Sequence, residues 1–220
     1  MEKIDKTAIV YENVETDDCY IGPYCIIGER LAEYYTNKKY KNPKTIIGKG
    51  AVIRSGTVIY AGCKFGRNFT TGNNAVIREY SEFGDNCSFG VLSQSDGYIS
   101  VGNGSRFHNN VFLSQYTKIG NHVRIYPNVT TLESLHPPCK LHNKESGVVI
   151  EDYAIIGASS TILPRVKIGK NSFVGAGSLV KDDVPEGKLV NGNPAKVICD
   201  VSEIKCKTGK NKQPYPWHKE

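Results

Sequence analysis

Hydrophobic residues recur along this chain at every sixth position. The series opens at Ile47, Ile53, Ile59 and Phe65 and holds its phase through Thr71, Ile77, Phe83, Phe89, Ser95, Val101, Phe107, Leu113, Ile119 and Ile125 to Thr131. After one interruption it resumes in a new phase at Ile150, Ile156, Ile162, Ile168, Val174 and Val180. A period of six fits neither a helix, which repeats at about 3.6, nor a plain alternating strand at about 2. It predicts an all-β parallel β-helix of hexapeptide repeats, in which very short strands stack coil upon coil.

A second register lies two residues before the first. Small or short side chains occupy it, among them Ala51, Thr57, Cys63, Ala75, Cys87, Ser93, Ser105, Ala154, Ser160 and Ser178. Side chains two apart on a strand share a face, so the large and the small residue both point inward and fill a narrow prism. Glycine often follows the large residue, as at Gly48, Gly66, Gly90, Gly120, Gly157 and Gly175. The expectation is that corners recur there and that glycine supplies unusual backbone angles. No GxxxxGK[ST] run is present, so the glycines do not read as a phosphate loop.

At 220 residues the chain reads as one β-helix domain over 1–198, with a polar, Lys-rich cap or tail over 199–220. Two loops interrupt the repeat, at about 29–44 and 132–147. The first is rich in Tyr and Lys, and reads either as a surface insertion or as a flap over an acceptor or a neighbouring subunit. The second holds His136 and His142, and Pro137 and Pro138 restrict how His136 projects. An imidazole titrates near neutral pH, which makes His136 the candidate general base.

Charge and cysteine content narrow the classes. The formal charge of +6 is spread over scattered lysines, an arrangement that favours small anions over nucleic acid. Cys19, Cys25, Cys63 and Cys87 fall on the small inward position and are expected as buried core thiols. Seven cysteines without a CxxC pair, no secretory signal and no long apolar run point to a cytoplasmic protein without a disulfide framework or membrane insertion.

The stretch from Ile119 to Ile198 resembles the left-handed β-helix, hexapeptide-repeat acyltransferases. The residues that carry the likeness are IGNHVRIYPNVTTLESLHPP, then VVIEDYAIIGASSTILPRVKIGKNSFVGAGSLVKDDVP, then GNPAKVI. Galactoside- and maltose-type O-acetyltransferases have a similar NVT…HP segment with the catalytic histidine at the position of His136, whereas the HPPC form looks more like the branch that N-acetylates nucleotide-linked amino sugars. The resemblance implies three hexads to a coil, so that the two runs amount to about seven coils, and a homotrimer with sites between rods. Acetyl-CoA would be the acyl donor, its pantetheine passing Gly157, Ala158, Gly175, Ala176 and Gly177, with Lys181 and Lys196 toward its phosphates. Arg106 stands where the galactoside type keeps an acceptor-binding asparagine, and with His108, Asn109 and Asn110 it forms the candidate acceptor group, a guanidinium suiting a sugar diphosphate. Two departures stand out: the lysine before V-P is displaced in Lys181-Asp182-Asp183, and Arg165 replaces a customary glycine. No metal is expected, since the HxxxxH spacing of the zinc enzymes built on the same rod is missing. The resulting expectation is N-acetylation of a nucleotide-linked deoxyamino sugar. The alternatives are O-acetylation of a sugar or other small molecule, and a non-catalytic binding or assembly subunit.

Overall fold

The computed structural model describes residues 3–134, 146–209 and 214–215. Nearly all of its regular structure is short parallel strands in three sheets of eleven, nine and eight strands. The first sheet begins at Lys3–Ile4 and includes Ser88–Phe89, Arg106–Phe107, Arg124–Ile125, Ile155–Ile156 and Phe173–Val174. The second runs from Ile9–Val10 to Leu179–Val180, and the third from Val14–Thr16 to Lys167–Ile168. The chain visits the sheets in strict rotation, so each strand pairs with the one three hexads later, as in Ser88↔Arg106 and Gln94↔Phe112. The result is a left-handed parallel β-helix, a three-sided rod.

The predicted inward register is observed throughout. Every residue of both hexad runs is buried, and so are the small positions two before them. The count of coils is larger than the predicted seven. The nine strands of the second sheet include Ile9–Val10 and Ile26–Glu29, both upstream of Ile47. The rod therefore starts near residue 3, where the hexad phase is harder to see because the inward series Ile4, Val10, Thr16, Ile21, Ile27 steps by five between Thr16 and Ile21 and is then broken by the first insertion.

Thr71, Ser95 and Thr131 occupy large positions without being apolar, and their hydroxyls are satisfied inside the rod. Thr71 meets Thr57 at 3.1 Å, Ser95 meets Ser81 at 3.1 Å, and Thr131 meets Ser114 at 3.0 Å. Buried polar atoms without partners are costly, so each such position needs a second hydroxyl beside it. The small positions do related work. The Cys63 thiol donates to the Arg78 carbonyl at 3.2 Å, Cys87 to Gly102 at 3.0 Å, Ser93 to His108 at 2.9 Å and Ser105 to Gly120 at 2.8 Å. Each ties one coil to a corner of the next. Phe65, Phe69, Phe83, Phe89 and Phe107 pack against one another with centroids 4.4–6.2 Å apart, Phe65 and Phe83 stacked and the contacts to Phe89 and Phe107 edge-on, inside the rod.

The glycines that follow the large positions have a different cause from the one expected. Backbone in the left-handed region falls two residues later, at Asn68, Asn86, Asn110, Asn128 and Tyr80, with φ between 54° and 60°. The recurrent glycines are required by close approach. A Cβ on Gly90 would lie 2.2 Å from the His108 carbonyl oxygen, and one on Gly157 2.5 Å from the Ala176 nitrogen. Outside these corners a ladder of Asp and Asn side chains joins the coils between the third and first sheets: Asp85, Asn103, Asn121 and Asp152 each accept the N–H of a residue one coil back, at 2.7–2.9 Å.

Candidate functional site

The coils bring most of the candidate residues to one corner of the rod, where the first sheet turns into the second. His108, Asn109 and Asn110 follow the strand Arg106–Phe107 there. Tyr126-Pro127-Asn128 occupies the same corner one coil on, then Gly157-Ala158, then Gly175-Ala176-Gly177. At a coil spacing of about 4.8 Å, His108 stands about 10 Å from the Gly157 corner and about 14 Å from the Gly175 corner. Asn109 is partly engaged in structure, its Oδ1 accepting Val91 N–H at 3.1 Å. Asn110 holds a left-handed turn at φ 56°.

The Gly-Ala track divides by role. Gly157 is buried and Gly175 would set a Cβ 2.5 Å from Asn191 Oδ1, so both serve packing between coils. Ala176 and Gly177 are exposed, and a Cβ on Gly177 would meet nothing within 4 Å. That end of the track is open to a ligand. The strands Lys188–Gly192 and Ala195–Asp200 form an antiparallel hairpin on the end of the first sheet, with a cis Asn193-Pro194 bond in its turn. The hairpin sets Lys196, which is exposed, opposite Asn191 and next to this corner. Beyond it Val201–Glu203 forms a short 3-10 turn, and Tyr215 lies edge-on to Phe173 at 5.4 Å.

Lys181 stands apart from this group. It follows Leu179–Val180, on the corner between the second and third sheets, 3.7 Å from Asp182. Both insertions leave from that same corner: one spans from Ile26–Glu29 to Thr45–Ile47, the other from Thr130–Thr131 to Val149–Ile150. The second makes its coil longer than the regular three hexads, so that Ser100 pairs with Lys118 but Lys118 pairs with Val149. His136 and His142 lie outside the described residues, as does Trp217. Arg165, where a glycine is customary, adopts φ 66°, a region that favours glycine, which explains that preference.

The first insertion is laid against the rod. It contains the helix Ala32–Thr36, and Asn42 accepts from Leu31 N–H at 3.0 Å. Beneath it runs a ladder of tyrosines, Tyr80, Tyr98 and Tyr116, with centroids 5.0 and 5.5 Å apart. Tyr40 of the insertion is hydrogen-bonded to Tyr80, and burial first, then that bond, pushes its hydroxyl up to about 12. A cavity of about 370 Å³ remains between Leu31 and Glu33 on one side and Tyr60, Arg78, Glu79 and Tyr98 on the other. Arg78 is already held there by Glu79 at 2.8 Å and Asp96 at 2.9 Å.

Two residues at the main corner escaped the sequence reading. Arg124 is the register partner of Arg106, and Tyr126 stacks on His108 at 4.8 Å with the rings 11° from parallel. Both lie one full coil after their partners, so a search for repeats of chemistry at three hexads would have found them. Burial and then Arg106 lower the Arg124 pKa from the usual guanidinium range. Among the described residues no group of three or more His, Cys, Asp or Glu side chains converges as a metal site would need. No helix among them is long and apolar enough to cross a membrane.

Known proteins share both the repeat and the rod. Residues 147–182 match the family described as bacterial transferase hexapeptide (six repeats). A galactoside O-acetyltransferase from Lactococcus lactis is 35% identical over 144 residues, covering 59% of this chain and 67% of the relative. A 2,3,4,5-tetrahydropyridine-2,6-dicarboxylate N-acetyltransferase from Clostridium perfringens is 51% identical over 69 residues, 31% of this chain, and the match spans only 27% of that relative's length. Among solved structures, UDP-N-acetylglucosamine O-acyltransferase from Moraxella catarrhalis superposes with a TM-score of 0.71 over 89% of this chain and 73% of its own, at 22% identity, a likeness of fold alone. The repeat, the rod and the extent of identity to the Lactococcus lactis enzyme agree, and the chain belongs to the hexapeptide-repeat acyltransferases.

Proposed function

We propose that this protein transfers an acetyl group from acetyl-CoA to the amino group of a nucleotide-linked deoxyamino sugar. The observation that carries the reading is the common corner, where Arg106 and His108 lie three coils below the open Ala176-Gly177 track, with the Lys196 hairpin on the coil end just beyond it. Donor and acceptor are then held on one rigid edge, which supplies the proximity that a two-substrate transfer needs. Pantetheine runs along Ala176 and Gly177, and Lys196 meets a CoA phosphate as a point charge. Lys181, on another corner, would reach CoA only if it belongs to the neighbouring rod of a trimer.

The same geometry supports a site shared between copies. The insertion that carries His136 is rooted on the corner between the second and third sheets, whereas the substrate corner lies between the first and second. In a homotrimer of parallel rods, the corner from which that insertion departs would lie beside the neighbour's substrate corner. The acceptor nitrogen attacks the thioester carbonyl, its proton passes to His136, and the CoA thiolate leaves and is protonated. A backbone N–H of the upper coils stabilises the oxyanion. Arg106, in place of a neutral side chain, favours a charged nucleotide-linked acceptor over a neutral galactoside. The O-acetyl reading rests on the galactoside relative.

The pH–rate profile of His136→Ala beside the parent separates the two. For an amine, alkaline pH supplies the free base and the variant recovers. For a hydroxyl, the loss of roughly 10²–10⁴-fold persists at every pH.

A further inference from the structure

The outer surface of the first sheet carries one charge arrangement that packing does not explain. Arg106 and Arg124 are direct partners across neighbouring parallel strands. Like charges facing each other on one side of a ladder are unfavourable. Several other cations on the rod are compensated: Lys64 pairs with Glu82, Arg67 with Asp85, Arg78 with Glu79 and Asp96, and Lys167 with Glu151, whereas Lys118, which has no ion pair among the described residues, faces Ser100 and Val149 rather than a second cation. No carboxylate among the described residues forms an ion pair with Arg106 or Arg124. Arg124 is half-buried, and its Nη1 donates to the Gly104 carbonyl at 2.7 Å, which fixes one arm of the guanidinium. Arg106 is exposed beside it. Two residues further along each strand lie His108 and Tyr126, stacked and both exposed at the adjoining corner.

We propose that Arg106 and Arg124 together form a diphosphate-binding site, with the His108–Tyr126 stack beside it as the platform for a flat ring attached to that diphosphate. Guanidiniums present paired donors that match phosphate oxygens, and two of them one coil apart match two linked phosphates better than a single carboxylate. The bound anion removes the repulsion that the empty pair carries. Two ligands of this reaction class hold such a diphosphate, the nucleotide-linked acceptor and CoA. The site rests on the proposed function only for which of these fills it.

The test is isothermal titration calorimetry on the full chain with UDP, dTDP, inorganic pyrophosphate and desulfo-CoA, using the parent, Arg106→Gln, Arg124→Gln and the double variant. The proposal expects each single variant to weaken at least one diphosphate ligand about tenfold or more. Weakened UDP or dTDP with unchanged desulfo-CoA assigns the site to the acceptor. Weakened desulfo-CoA with unchanged nucleoside diphosphates assigns it to the donor: the diphosphate site stands and the acceptor assignment falls. Unchanged binding of all four probes overturns the proposal. The melting temperature without ligand is a second readout, because Arg106→Gln relieves repulsion and is expected to leave it level or raise it. A fall there with unchanged binding would show that Arg106 is structural and would also overturn the proposal. If pyrophosphate binding depends on the pair while no amino sugar is acetylated, the site stands and the proposed function fails.

Discussion

Replacing Gly90 tests whether the recurrent glycines serve close approach or backbone angle. A Cβ there would sit 2.2 Å from the His108 carbonyl oxygen, 2.4 Å from its carbon and 2.9 Å from Asn109 N. All three are backbone atoms of the next coil and cannot rotate away, so the coils must separate locally. That separation disturbs three hydrogen bonds: Ser93 Oγ to His108 O at 2.9 Å, Val91 N to Asn109 Oδ1 at 3.1 Å, and Asn110 N to Val91 O at 2.9 Å. At about 1 kcal/mol net for each, the loss is about 3 kcal/mol, and the stiffer unfolded chain returns about 0.5 kcal/mol. Gly90→Ala should therefore cost roughly 2–3 kcal/mol in urea denaturation at fixed protein concentration. Gly177 is the contrast: φ is +71° and no atom lies within 4 Å of a Cβ, so Gly177→Ala carries only the left-handed cost of about 1–2 kcal/mol. Asparagine tolerates that region, so Gly177→Asn should be milder than Gly177→Ala, whereas Gly90→Asn should be no better than Gly90→Ala. A Gly90→Asn protein clearly more stable than Gly90→Ala would refute the close-approach reasoning.

Other expectations follow from the same coils. Ile156→Asp places an unpaired carboxylate at a fully buried position and should cost several kcal/mol, read as loss of soluble protein or a large fall in melting temperature. Cys63 and Cys87 should react slowly with a thiol reagent until the rod unfolds, because both are buried. Burial lifts the Cys63 thiol to about 12, whereas in the unfolded chain it titrates near 8.5. Its contribution to stability is complete below about pH 8.5 and declines as pH rises toward 12, so Cys63→Ser should flatten the alkaline limb of a stability profile. Lys196→Glu should raise the Michaelis constant for acetyl-CoA more than that for the acceptor, and equal effects on both would remove Lys196 from the donor site.

The inward face of the rod was legible in the sequence because one physical rule, a large residue and a small one per side, repeats at every hexad. Thr71, Ser95 and Thr131 kept that phase although they are polar, since each finds a hydroxyl partner inside. The first coils were harder to read because the inward series shortens to five residues between Thr16 and Ile21 and is interrupted by the insertion after Ile27. The meaning of the glycines was misread for a related reason: sequence shows where a side chain is missing, but the atom that forbids it belongs to the next coil. Arg106 was found through a family resemblance, and His108 through its corner position just after the inward Phe107. Arg124 and Tyr126 were missed because their significance lies in the pairs they make across coils, which the hexad pattern of large and small residues does not weigh.

The activity proposed for this rod is acetyl transfer from CoA to the amine of a nucleotide-linked sugar. It is tested most directly by thiol release from acetyl-CoA in the presence of nucleotide-linked amino sugars, with galactosides, maltose and the parent nucleotides as controls. Release is expected to require both the amine and the nucleotide, with a product whose added acetyl resists the mild base that cleaves esters. Release with galactosides or maltose alone, giving a base-labile ester, would contradict it.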